Sequence, residues 1–453
     1  MPGRLIVRCP VDLFYGQVIL HCHVLRHEDT GMMAAYWAQD HPVLPAKDAN
    51  MCTEGALALP YDYTSDPEYQ AIQDDEVQSV LLTMTISKMF SALTGSLEQD
   101  LYLPVGKVAQ FFGFEYYRYV ESGNDASRGG ASWYTLLELT SDQRALLQAL
   151  AKDQGTNQAE LEGARSSLIS LLYTMNCGAE VDPYEAYTYG QNGGRLEGVK
   201  GLMEAKVYTT IISSLTSQQR ANLLDYRRGL ITFNESTVNK NDYYGDLQKG
   251  SEQDEFEGYG SKLLSWYTST QMQDGLATCT YLSEGRPANF FGFAYLRQYV
   301  KGVDRGELFR VTLGTLSPKQ RAVLWAEWEE LSTAWAGLIR NRELAIRAMY
   351  GVLTDVVAGG TSGWTAETEA DILRYQTAFG HFESRVGLIQ AQFYARSLLS
   401  MTADQINTLR SLRGLSPMDA ADTPCPGDCT ACKCTTGPPC SCRDFVEPPV
   451  ESP

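Results

Sequence analysis

The side chains best equipped for chemistry crowd one end of the chain. Of five histidines in 453 residues, three fall within seven positions, at His21, His23 and His27. They belong to the run His21-Cys22-His23-Val24-Leu25-Arg26-His27-Glu28-Asp29-Thr30-Gly31-Met32-Met33. An extended strand sends alternate side chains to opposite faces, so His21 and His23 point one way and Cys22 the other. One metal cannot easily take all three, but two centres on either side of the strand can. Cys22, His27 and Met32 offer a thiolate, an imidazole and a soft thioether, which is a blue-copper set lacking one further imidazole. His21 and His23 offer two imidazoles to a separate copper site, and the backbone of Cys22 links the two sides as a path for electrons. A structural zinc site fits less well, because adjacent donors alternate in direction.

With its spacing His-Cys-His-x3-His-x4-Met, the run resembles the last copper-binding motif of the multicopper oxidase family, which includes laccases, bilirubin oxidases and cuprous oxidases. The resemblance implies that Cys22, His27 and Met32 are type 1 copper ligands, with Met32 the weak axial one. It implies that His21 and His23 ligate the type 3 coppers and that Glu28 donates protons during dioxygen reduction. Arg26 stands where that family commonly has an acidic residue. The likeness covers about 35 residues. A complete oxidase of that family uses ten histidines in four motifs, and no His-x-His-Gly or His-Pro-x-His segment occurs here. The expectation is therefore that the 453 residues are the C-terminal portion of a longer oxidase. A vestigial motif kept as a docked hairpin is the alternative.

The elements that must carry this motif differ along the chain. Residues 1–40 read as β structure, with Leu5, Val7 and Cys9 alternating and a turn at Tyr15-Gly16 before the run to His23. Met1 to Arg8 has no apolar core and does not read as a secretory signal. Residues 41–75 turn to Pro, Asp and Tyr and read as a linker. The remainder is helical and duplicated. Gln110-Phe-Phe-Gly-Phe114 recurs as Asn289-Phe-Phe-Gly-Phe293, and Leu139-Thr-Ser-Asp-Gln-Arg144 as Leu316-Ser-Pro-Lys-Gln-Arg321, with an offset of 177 that holds to Tyr173 and Tyr350. A second block repeats at an offset of 186, from Gly201 and Gly387 to Gln219 and Gln405. This predicts two copies of one unit, 76–232 and 259–414, joined by an acidic linker at 233–258.

Four capping boxes mark helix starts: Thr140 with Gln143, Thr216 with Gln219, Ser317 with Gln320 and Thr402 with Gln405. Pro318 suits the first turn of the third. Leu324, Trp328, Leu331, Trp335 and Leu338 then form a stripe that must face a core. The boxes also look like the Leu-Thr-x-x-Gln motif of small periplasmic stress and metal-resistance proteins, although capping alone explains them. The aromatic patches at 111–114 and 290–293 read as core, and His41 and His381 as satisfied or surface histidines. Asn234-Glu235-Ser236 is a glycosylation-type sequon, too common a pattern to carry a reading by itself.

The tail from 415 is Pro-rich and holds Cys425, Cys429, Cys432, Cys434, Cys440 and Cys442. Its Cys-x-Cys pairs suit soft-metal thiolate binding. Six cysteines equally suit three disulfides in an oxidising compartment. The whole chain carries 55 acidic against 37 basic residues, a formal charge of -18, which disfavours a phosphate backbone as partner. No run is apolar enough to predict a membrane span.

The sequence thus predicts a mainly α protein: two tandem helical bundles after a short cupredoxin (plastocyanin-like) remnant, with an irregular Cys-rich tail. The expected function is that of a copper oxidase, passing single electrons from an unknown reducing substrate to dioxygen, incomplete in this chain alone. The rival is a non-enzymatic helical repeat protein that binds protein partners or soft metals. Both readings place it in the periplasm or outside the cell.

Overall fold

The computed structural model describes residues 16–21, 33–38, 59–73, 76–94, 128–175, 179–271, 305–360 and 363–412. Among these the protein is mainly helical. Two six-residue strands, β1 (Gly16–His21) and β2 (Met33–Ala38), pair antiparallel with Gly16 opposite Ala38 and His21 opposite Met33. The strand preceding Gly16 that the sequence suggests lies outside the described residues. The partner observed for β1 instead follows the His-Cys-His run.

Twelve α-helices follow among the described residues. They are α1 (Pro67–Gln73), α2 (Glu76–Thr94), α3 (Arg128–Glu138), α4 (Ser141–Thr174), α5 (Pro183–Ser214) and α6 (Ser217–Arg227). Then come α7 (Asn241–Tyr244), α8 (Ser251–Ser269), α9 (Arg305–Thr315), α10 (Pro318–Val357), α11 (Ala366–Ser400) and α12 (Ala403–Leu412). Their starts have local causes. Thr140, Thr216 and Ser317 each accept from the amide of the Gln three residues on, whose side chain returns to the cap. Thr402 and Gln405 do the same. Pro183 and Pro318 occupy the first turn, where a missing N–H costs nothing.

α4, α5, α10 and α11 have 32 to 40 residues each, so they run about 50–60 Å. They form the spine, and each passes from one hydrophobic core into a second. The stripe Leu324 to Leu338 is buried as its spacing requires, but the same helix continues to Ala345, Ile346, Met349 and Leu353, which belong to the other core.

The two cores do not follow the two sequence repeats. Lobe 1 is built from α3, the first part of α4, the later part of α5, α6, α7 and α8, with the end of α10. It is contiguous over 128–269, apart from the end of α10 and the start of α11, which contributes Ile372. Lobe 2 combines α9, the start of α10, the later part of α11 and α12 with residues 63–93 and the end of α4. The first segment of the helical region thus closes the lobe made by the last.

Neither segment expected as a linker is one where it is described. Tyr63 and Ile72 are buried in lobe 2, Tyr63 and Tyr69 pack on Phe309, and Asp66 Oδ2 accepts from Trp325 Nε1 at 3.1 Å. In lobe 1, Tyr244, Leu247 and Phe256 are buried, and both Tyr243 and Tyr244 stand edge-on to Trp133. Buried aromatic rings, rather than the acidic and Pro-rich composition around them, decide that these segments dock.

α5 and α11 cross antiparallel at a seam of small residues. A Cβ on Gly194 or on Gly380 would collide with the backbone of the facing helix, and one on Gly190 would meet Gly380 O at 2.5 Å. Here glycine is required by close approach of two backbones.

Candidate functional site

Of the copper-motif residues, His21 ends β1, with its Cα opposite that of Met33. Cys22, His23, His27, Glu28 and Met32 lie outside the described residues, as do the six tail cysteines and both Phe-Phe-Gly-Phe patches. β1 and β2 bracket the motif: the chain leaves one strand at His21 and re-enters the other at Met33.

The helical body holds charge in its interior, at positions that no short motif marks. Two ion pairs cross the spine. Arg165 on α4 meets Glu383 on α11, and Arg342 on α10 meets Glu197 on α5, both at 3.3 Å and nearly out of contact with solvent. Arg165 and Arg342 are equivalent under the first offset, Glu197 and Glu383 under the second. Each pair therefore joins one repeat to the other, reciprocally. Charges that repeat within otherwise apolar helix faces were the available signal.

A second cluster belongs to lobe 1. Lys200 Nζ lies 2.6 Å from Glu255 Oε1 and donates to Gln158 Oε1 at 2.9 Å. Lys262 Nζ donates to Glu204 Oε1 at 2.9 Å and stands 5.5 Å from the centre of the Tyr259 ring. Burial pulls the Lys262 ammonium down, but Glu204 and Glu255 outweigh it and hold the group above the ordinary lysine value. Burial raises Glu204, against the pull of both lysines. Glu255 is half-buried, and Lys200 and Lys262 outweigh its desolvation and hold it below the usual carboxylate range. Two carboxylates here face two ammonium groups, so the cluster is a neutralised interior. Among the described residues no group of three or more His, Cys, Asp or Glu could hold a metal ion.

The Leu-Thr-x-x-Gln-Arg boxes have a structural explanation. Gln219 Nε2 donates to Glu138 O at 2.6 Å and to Gln143 Oε1 at 2.9 Å, while Gln143 Nε2 donates to Ser214 Oγ. Gln405 repeats this with Thr315 O at 2.6 Å and Gln320 Oε1 at 2.8 Å, and Gln320 Nε2 donates to Ser400 Oγ. The Arg after each of three boxes ties down a carbonyl at the end of the preceding helix: Arg144 on Leu136 O, Arg220 on Ile212 O and Arg321 on Leu316 O. Each motif staples two helix corners together and adds a donor to carbonyls at a helix end.

His381 is half-buried, edge-on to Tyr187 at 4.7 Å and 3.4 Å from Gln191 Nε2. Burial and Arg385 hold its pKa below the ordinary value. No described helix is long and apolar enough to cross a membrane. The chain matches no protein-family profile, no curated protein and no solved structure.

Proposed function

We propose that the chain is part of a copper-dependent oxidase located outside the cytoplasm, with the duplicated helical body as an appended assembly or binding module. The observation that carries this reading is the spacing of His21, Cys22, His23, His27 and Met32, bracketed by the paired strands β1 and β2. The donor set fits copper, since it joins a thiolate and a thioether to imidazoles. Cys22, His27 and Met32 would hold a type 1 copper, and His21 and His23 would each serve a type 3 copper. When bound, the metals supply one-electron oxidation coupled to reduction of dioxygen. Met32 would add a soft thioether donor to that site, and Glu28, next to His27, would hold a proton near the copper-binding residues. Five histidines cannot complete a trinuclear centre, so the remaining imidazoles would come from polypeptide beyond these 453 residues.

The test is visible absorption and electron paramagnetic resonance of the full-length native polypeptide loaded with copper, compared with its Cys22→Ser variant. The expected result is an intense thiolate-to-copper band that the substitution abolishes. A band that survives the loss of Cys22 would overturn the assignment. The mass of the native polypeptide, detected with an antibody against the helical body, sharpens the outcome. A mass well above 50.3 kDa supports an oxidase completed by further domains, whereas a mass near it favours the second reading. In that second reading the protein is a non-enzymatic helical module for protein partners or soft metals. The observation favouring it is that both interior charge clusters are internally neutralised and serve the fold.

A further inference from the structure

We infer that Asn234 is an N-glycosylation site. Within the sequence, Asn234-Glu235-Ser236 is the one place where an asparagine is followed two residues later by Ser or Thr, with no proline between. The structure adds what the triplet could not. The segment from 228 to 250 leaves α6 and returns to α8 along the outside of lobe 1. Phe233 anchors it from one side, edge-on to Tyr134 at 5.6 Å, and Tyr134 stacks on Tyr226 at 4.3 Å. Tyr243 and Tyr244 anchor the other side against Trp133. Between these anchors Asn234, Ser236 and Thr237 are exposed.

The side chain of Asn234 is held in a local turn on the exposed side of this segment. Its Oδ1 accepts from the Ser236 amide at 3.0 Å, closing a turn at the start of the short 3-10 helix Glu235–Thr237. Thr237 Oγ1 donates to Asn234 O at 2.8 Å and fixes the backbone of the same turn. A glycan there would extend into solvent without displacing packed residues. Its equivalent in lobe 2, the strap 59–73, contains no asparagine, so the modification would mark one lobe only.

The step is a group transfer from a lipid pyrophosphate-linked oligosaccharide. A bond forms between Asn234 Nδ2 and the anomeric carbon, the bond from that carbon to the pyrophosphate oxygen breaks, and one amide proton leaves to a base of the transferase. The lipid pyrophosphate is the leaving group. The inference rests on the extracytoplasmic part of the proposed function, and it is independent of copper.

The experiment translates the full chain behind a secretory leader in the presence of endoplasmic-reticulum microsomes and reads the protease-protected product. The expected result is one discrete upward step in mass that endoglycosidase removes. The step should vanish in Asn234→Gln and Ser236→Ala and persist in Ser236→Thr. Native, folded protein should also lose its glycan to the enzyme without denaturation. A protected chain with no step, or a step that survives Asn234→Gln, would overturn the inference. Since the leader imposes the compartment, failure here speaks against the site, whereas failure of the copper titration speaks against the oxidase.

Discussion

The two lobes share a skeleton and differ in their interiors. Both have paired glutamine staples at their helix corners, a docked aromatic strap and one half of the reciprocal Arg–Glu arrangement. In lobe 1, however, α5 and α8 bring together the buried Lys200 and Glu204 with the half-buried Glu255 and Lys262. The positions on α11 equivalent to Lys200 and Glu204 are Val386 and Gln390. There Gln390 Nε2 donates to Thr85 Oγ1 at 3.0 Å, and Tyr394 Oη to Thr85 O at 2.8 Å. The shared features are those that close helix ends and join the repeats, so both copies need them. The interior polar contacts are free to diverge as long as each lobe satisfies its own donors and charges.

The largest expected effect tests the shared part. Glu197→Ala and Glu383→Ala each remove a carboxylate that faces a buried arginine in the spine and should each cost roughly 3–5 kcal/mol in chemical denaturation. The two costs should agree, and a difference of more than about 1 kcal/mol would show that the pairs are not energetically equivalent. Next, Gly380→Ala drives a methyl group into the backbone of α5 at Gly190, and overpacking of this kind costs about 3 kcal/mol. Both lobes should weaken together, as read by hydrogen exchange, because both share the α5–α11 seam.

The third prediction separates the lobes. Glu204→Gln gives lobe 1 the residue lobe 2 carries at Gln390, but leaves Lys262 without its nearest carboxylate, for an expected loss of about 2 kcal/mol. Hydrogen exchange should place that loss in α5 and α8 and spare α9 and α12. The pH dependence follows from the same cluster. Lys262 is raised in the folded state, so its contribution is complete below the ordinary lysine value of 10.5 and is lost as pH rises through the folded value. Glu204 is raised and Glu255 lowered, so their contributions oppose one another in the acid range. The signature is therefore sought at alkaline pH, where Lys262→Met should reduce but not abolish the limb of a plot of unfolding free energy against pH, because raised tyrosines such as Tyr259 also contribute to it. The smallest effect is a gain. Gly163 lies in α4 with open space where a Cβ would stand, so Gly163→Ala should stabilise the protein by about 0.5–1 kcal/mol.

Much of this architecture was legible from local rules. Capping boxes gave four helix starts because a hydroxyl and a glutamine three residues apart satisfy orphan amides within one turn. The stripe from Leu324 to Leu338 announced a buried face because helical periodicity fixes which side chains share it. The offsets of 177 and 186 exposed the duplication. For the copper motif the reasoning stops at residue type and spacing, since of its donors only His21 falls in a described strand.

Sequence by itself determined the helices, their caps, the repeat and the donor chemistry of the His-Cys-His run, since each depends on residues within a turn or two of one another. Only the tertiary structure decided how the repeats are combined. Nothing local states that residues 59–94 close the lobe built by 305–412, or that Arg165 meets Glu383 across 218 residues of chain. Those choices depend on which apolar faces and buried charges find partners at a distance. A segment's composition cannot show that in advance, as the acidic, aromatic-anchored stretch around Tyr243 and Tyr244 illustrates.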